Sequence, residues 1–355
     1  MKWWNQIKQK PGFIKLTQWE YWPSLAFYWP MFFYGPYLAI RPKHICFFTP
    51  ANPGLEGGGM CMESKFHTLE MFPEALCPES VFVPNGTPTQ DIEKALDQTS
   101  LTFPMIVKPN VGFRGLLVKK VDNFEQLSSY IHQYPIDFLI QEFLQYPEEV
   151  GVFYSRMPDE EKGKIISLTL KEFLHVVGDG QSTVAELVEN NPRALLQMER
   201  LQEMYADLLV SVPAPGEKVN LGVVGNHSKG TLFINGNDQI DAALTEEFDR
   251  LARHVDGFYY GRFDIKCQSL DDLRQGKNFK IIELNGVFAE PTHIYDSTKI
   301  SYFEALRTII RHWKLVQEIS FRNAQKGVAP MPVPEMLKVV KSIRDYGKLI
   351  KRFSS

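Results

Sequence analysis

The chain has 355 residues, of which 44% are hydrophobic and 23% charged, with a net charge of −3. That is enough apolar material for two or three lobes with buried cores, and it excludes a disordered chain. Residues 1–20 carry +3 and residues 335–355 carry +4, which leaves −10 for 21–334 and excludes nucleic acid as the main partner.

The front end stands apart. Five of the six Trp fall within the first 29 residues. From Tyr21 to Ile40 no residue is charged, a stretch as long as a membrane span. Pro23, Pro30 and Pro36 interrupt it, each removing a helix hydrogen bond. Three readings stay open for this arm: packing on the body or on a second copy in a homodimer, lying in a membrane interface, or spanning a bilayer. No small-residue cleavage site follows an apolar core, so no cleavable signal peptide is expected. Cys46, Cys61, Cys77 and Cys267 show neither C-x-x-C nor zinc spacing and read as free thiols of a cytoplasmic protein.

In chain order, Lys43–Phe48 has the composition of a short strand. The glycine-rich loop Thr49–Gly59 follows, whose glycines suit either a plain turn or an anion at the next helix N-terminus. The pattern continues with a helix over Glu63–Met71, a strand over Ser80–Val83, and a helix over Asp91–Asp97 capped by Thr87. Phe103–Pro109 then reads as a strand ending in Lys108, followed by a loop with Gly112 and Gly115 and the strand Leu116–Val121. A Lys at a strand end before such a loop suits phosphate oxygens, or is merely a surface Lys before a turn. Further strands are expected over Phe138–Leu144, Glu149–Tyr154 and Lys164–Val177, then a helix capped by Thr183. Two last strands, Gly261–Lys266 and Phe279–Asn285, place Asp264, Glu283 and Asn285 as three hard oxygen donors suited to Mg²⁺, or as solvated strand-end groups. The loop Asn220–Gly230 is polar and glycine-rich enough to face a site. After the proline run 328–334, Met336, Val340, Ile343, Ile350 and Phe353 repeat at helical spacing, with Lys338, Lys341, Lys348 and Arg352 off the stripe.

Taken together these motifs resemble the ATP-grasp superfamily of carboxylate–amine ligases over about residues 85–300. Val107-Lys-Pro109 with its loop is similar to the first nucleotide-gripping strand, and Gln141-Glu-Phe-Leu144 to the adenine hinge. Gly261-Arg-Phe-Asp264 and Glu283-Leu-Asn285 resemble the closing motifs of D-alanine–D-alanine ligases. His175–Thr183 resembles cyanophycin synthetase-type domains. The Pro-Gly turn that follows the last motif in D-alanine–D-alanine ligases is missing: Asn285 leads into Gly286–Asp296.

The resemblance implies a mixed α/β fold, with an arm at 1–42, a short α/β lobe at 43–100, an ATP-grasp domain at 101–300 and C-terminal helices at 301–355. It implies ATP bound by Lys94, Lys108, Gly112, Gly115, Gln141, Glu142, Leu144 and Glu149, and Mg²⁺ or Mn²⁺ on Asp264, Glu283 and Asn285. Arg262 and Lys108 would be catalytic, in a reaction that activates a small-molecule carboxylate as an acylphosphate for an amine or thiol. Lys171, Glu172, Glu290, His293, Tyr295 and Asp296 are the expected substrate contacts. The alternatives are a phosphotransferase on the same fold and a non-catalytic ATP-binding module. Basic, apolar segments at 1–40 and 335–355 add an expected contact with the inner face of the membrane.

Overall fold

The computed structural model describes residues 10–60, 63–112, 115–222 and 225–352. The arm runs through α1 (Pro11–Thr17), α2 (Ser24–Tyr28) and α3 (Met31–Ile40), and α4 (Lys65–Glu70) follows the glycine loop. Next come β1 (Ser80–Val83), α5 (Thr89–Asp97), β2 (Met105–Pro109), β3 (Lys119–Val121), α6 (Phe124–Gln133) and β4 (Phe138–Glu142). These four strands form one antiparallel sheet in the order β1-β4-β2-β3. Ile92, Leu127 and Ile131 of its two helices are buried against it with Val107 and Ile140.

A second antiparallel sheet is built from β5 (Glu148–Ser155), β6 (Lys164–Glu172), β9 (Leu232–Asn235), β10 (Tyr260–Cys267) and β11 (Phe279–Asn285), in the order β11-β10-β5-β6-β9. Between β6 and β9 lies an insertion: the pair β7 (His175–Val177) and β8 (Lys218–Asn220), with helices α7 (Val184–Glu189), α8 (Pro192–Leu195), α9 (Met198–Met204) and α10 (Ala206–Leu209). Thr183 and Glu186 form the reciprocal capping box expected at α7. Helices α11 (Ala242–Ala252) and α12 (Leu270–Arg274) cover one side of the second sheet. The chain continues through α13 (Tyr302–Gln325) to α14 (Val333–Lys351).

Several expectations are corrected. Lys43–Phe48 is a turn, not a strand. Cys46, Phe47 and Phe48 are buried in succession, so no face alternates, and the Cys46 amide donates to His44 Nδ1 at 3.2 Å instead of to a neighbouring strand. Thr87 caps nothing: its hydroxyl bonds to Pro84 O, and α5 starts two residues later behind Pro88. The strand expected over 164–177 is two, because β7 leaves the large sheet to pair with β8. The glycine loop serves close packing: a Cβ on Gly59 would stand 2.4 Å from Gly286 Cα, so the two backbones meet where only glycine fits.

The C-terminal helix is held on the body. Met336 and Val339 join the cluster around Val316, while Tyr346 and Leu349 pack on the first sheet's core. Val340, expected in the apolar stripe, is 47% exposed, and Phe353 lies outside the described residues. Cys46, Cys77 and Cys267 are free, buried thiols, whereas Cys61 lies outside the described residues. Among the described residues no helix is long and apolar enough to cross a membrane.

Candidate functional site

The two sheets face each other across a cavity of about 960 Å³, lined by β2 and β4 on one side and by β5, β6, β10 and β11 on the other. Lys108 enters from β2. Its ammonium donates to Gln141 Oε1 at 2.8 Å and to the Ile282 carbonyl at 3.2 Å, so one side chain bridges both sheets. Gln141 is itself fixed by donating to Ser80 Oγ at 2.9 Å. Burial pushes the Lys108 ammonium down to about 8, against the pull of the Glu283 carboxylate.

On β10, alternate residues point the same way, so Arg262, Asp264 and Lys266 all reach the cavity. Arg262 forks onto Asp264, with Nε to Oδ1 at 3.1 Å and Nη2 to Oδ2 at 2.9 Å, and Nη1 donates to Glu290 O at 2.9 Å. Lys171 on β6 spans Glu149 Oε1 at 2.9 Å and Asp264 Oδ1 at 3.0 Å. Burial alone would raise the Asp264 carboxyl, but Arg262 and Lys171 outweigh it and hold it well below the usual range. Glu283, opposite Asp264 in the β10–β11 register, accepts from Lys65 at 2.7 Å. Lys65 offsets the burial of Glu283 and lowers its carboxyl too. Asn285 donates to Asp264 Oδ2 at 3.1 Å. The donor set of two ionised carboxylates and an amide oxygen in one cavity fits Mg²⁺. Among the described residues no group of three or more His, Cys, Asp and Glu is placed to hold a metal.

Gly112, Gly115, Glu142 and Leu144 line the cavity near β2 and β4, and Gly225 presses on Glu149, where a Cβ would stand 2.0 Å from Oε1. Tyr295 and Glu290 line it too and are joined by a hydrogen bond at 3.1 Å. Four expected residues are elsewhere. Lys94 is exposed on α5 and pairs with Asp91. Glu172 pairs with Lys218 and His175 outside the cavity. His293 is buried behind the sheet against Ser167 Oγ at 2.6 Å, where burial pushes its imidazole down to about 4. Asp296 is buried too, accepting from the Asn235 amide at 2.9 Å.

Two groups escape the sequence reading. Lys65 sits at the start of α4, beyond any local motif, and Lys266 follows from the same alternation that gives Arg262 and Asp264. The larger omission is the arm. Lys15, Glu20, Trp22, Ser24 and Phe27 line the cavity directly, so residues set apart by their composition form part of its wall. Buried Glu20 accepts from Arg193 at 2.6 Å, from Ser297 Oγ at 2.6 Å, and meets His227 Nε2 at 2.9 Å. The Tyr28 hydroxyl donates to Glu290. The polar loop Asn220–Gly230 reaches the cavity through Asn226 to Lys229, as expected, although Val223 and Val224 lie outside the described residues.

With paired antiparallel sheets closing on an ionic cleft, the chain resembles the ATP-grasp carboxylate–amine ligases, and its sequence relatives carry the same resemblance. Over 260 residues it is 25% identical to the glutathione biosynthesis bifunctional protein of Clostridium perfringens, spanning 66% of this chain and 32% of that protein. Over 279 residues it is 23% identical to the cyanophycin synthetase of Nostoc sp., spanning 72% and 29%. Among solved structures, D-alanine–D-alanine ligase from Bacillus anthracis is similar at 15% identity and a TM-score of 0.39, over 73% of this chain and 69% of that one. The aligned region thus spans about a third of the length of these curated relatives. No family model matches the chain.

Proposed function

We propose that this protein is an ATP- and Mg²⁺-dependent ligase that joins a small-molecule carboxylate to an amine or thiol through an acylphosphate, releasing ADP and phosphate. The observation that carries this reading is the convergence of Lys108, Lys171, Arg262, Asp264 and Glu283 from both sheets on one cavity. Asp264, Glu283 and Asn285 would hold Mg²⁺, which spreads the charge on the nucleotide phosphates when bound.

The chain's own groups then have distinct work. Lys108 neutralises phosphate oxygens and ties them to the first sheet. A substrate carboxylate oxygen attacks the γ-phosphorus, the bond to ADP breaks, and the new acylphosphate carries negative charge. Arg262, already aimed by Asp264 and Glu290 O, meets that charge without reorganising. The amine then attacks the acyl carbon, phosphate leaves with the bonding pair, and the nitrogen loses a proton. Glu290, held by Tyr28 and Tyr295, would position such an amine. In this reading 101–300 is the catalytic unit, 43–100 a supporting lobe, 1–42 part of the substrate wall, and 301–355 the brace behind it. Buried free thiols agree with a cytoplasmic setting.

Asp264→Asn tests the reading better than an alanine, which would leave two buried cations facing a gap. The expected result is loss of Mg²⁺-dependent ADP release with folding retained; wild-type turnover would refute the assignment. Product analysis separates the ligase from a phosphotransferase: phosphate release that needs no second nucleophile, or a stable phosphorylated product, overturns the ligase reading.

A further inference from the structure

The arm is apolar on two sides, and the body covers one. Phe27 and Met31 face inward, packing in a cluster with Ala305 and Ile309 of α13, and Leu38 is buried with Val316. Leu25, Trp29, Phe33 and Tyr37 recur every four residues and face outward, joined by Phe32 and Ile40. All six are between 57% and 72% exposed. A helical segment apolar around its whole girth belongs in a core or against lipid.

Charge supplies the second observation. The arm runs alongside α13 in the same direction: Phe27 lies by Ala305, the Leu38 carbonyl accepts from Gln317 Nε2 at 2.5 Å, and the Arg41 guanidinium sits 4.2 Å over the Phe321 ring. One step further round α13 from the positions that hold the arm come Arg307, Arg311 and Lys314, all exposed. The acids of that stretch have partners of their own: Glu304 caps the helix start with Ser301 and also feels the charge of Arg307, and Glu318 binds Arg41 and Arg322. An uncharged aromatic stripe therefore lies beside a basic stripe with no acid between Tyr21 and Ile40.

We propose that this face docks on an anionic bilayer surface, with the aromatic rings at headgroup depth and the three cations against lipid phosphates. The face lies outside the cavity, so the proposal stands apart from the ligase reading. It also adds a basic element: α13 provides one beside the arm, whereas on α14 Met336, Val339, Tyr346 and Leu349 pack on the body.

The test is co-sedimentation of the full chain with phosphatidylcholine vesicles containing about 30% phosphatidylglycerol. The full chain is expected to pellet with them and to bind pure phosphatidylcholine about tenfold less. The combined substitutions Arg307→Glu, Arg311→Glu and Lys314→Glu should weaken binding to the anionic vesicles by about tenfold or more. Trp29→Ser with Phe33→Ser should abolish it, and unfolding midpoints matching the wild type establish that both variants fold. The proposal is overturned if the full chain stays in the supernatant, or if neither variant changes binding. It is equally overturned if light scattering shows a stable dimer that Trp29→Ser with Phe33→Ser dissociates, which assigns the face to a second copy of the chain.

Discussion

Arg193 donates to Glu20 at 2.6 Å, joining the insertion helix α8 to an arm residue far from it in the sequence. Both side chains are largely buried, and His227 and Ser297 complete the set around the carboxylate. A buried carboxylate with three partners from three segments pins the arm over the cavity. Removing its charge leaves Arg193 without a counter-ion, which costs about 3 kcal/mol or more. Glu20→Gln should therefore lower the unfolding free energy by roughly that amount in urea titrations. If the arm walls the substrate end, the same variant raises the KM for the substrate several-fold while the KM for ATP stays near wild type.

The same carboxylate predicts an acid transition. Burial works to raise the Glu20 carboxyl, but His227, Arg193 and Ser297 outweigh it and bring it to about 2 from the usual 4.5. A folded value below the unfolded one means the stabilisation is complete above about 4.5 and is lost as pH falls towards 2. The arm should loosen in that window. Fluorescence of Trp19 and Trp22 against pH follows it, and in Glu20→Gln the part of the transition due to this group should vanish.

How much of this was legible follows from where each residue sits. The strand Phe279–Asn285 was readable to the residue because one side faces a core and the other a polar cavity, so Glu283 and Asn285 fall on a shared face by simple alternation. Alternation puts only Lys171 of the expected pair Lys171 and Glu172 on the cavity side, and Arg262 is singled out by the resemblance of Gly261-Arg-Phe-Asp264. Lys43–Phe48 has strand composition, but Ile45 is exposed while Cys46, Phe47 and Phe48 are buried in succession, and composition alone cannot distinguish a strand from such a turn. Lys94 was chosen because it precedes the motif in sequence, yet α5 turns it to solvent, while Lys65 reaches Glu283 across the cleft. The role of the arm was hidden most deeply. Its contacts with Arg193, His227 and Glu290 span well over a hundred residues, and no local period records such a meeting.

Lys65 occupies the carboxylate that the metal reading assigns to Mg²⁺. Its ammonium stands 2.7 Å from Glu283, so under the proposed reading it would compete with a divalent cation for the same oxygen and would turn to the nucleotide phosphates when both bind. Lys65→Met should therefore split two affinities. Metal binding in the absence of nucleotide should tighten several-fold, measured by calorimetry with Mn²⁺ as the probe. The KM for ATP should rise about tenfold, since a charge-assisted phosphate contact contributes about 1.5 kcal/mol. If both affinities move in one direction, Lys65 does not exchange between the two partners.

Lys108 makes ATP affinity and apo stability respond to pH in opposite senses. In the folded chain its ammonium titrates at about 8, against 10.5 in the unfolded chain, because burial disfavours the charge. Between those values the unfolded chain holds more protons, so stability gains from this group as pH rises through the window, while below about 8 the whole penalty is present. In the proposed reading, ATP binding needs the cation. Above about 8 the empty protein must take up a proton to bind, and the Kd for ATP should rise by up to about tenfold per pH unit. Lys108→Met removes both slopes at once: weaker ATP binding at pH 7, a flatter Kd above 8, and an apo protein that gains less stability between pH 8 and 10.5 than wild type. Comparing the two proteins cancels the other groups that titrate in this range. A wild-type Kd for ATP that stays level from pH 7 to pH 9.5 would mean that Lys108 is not the phosphate cation.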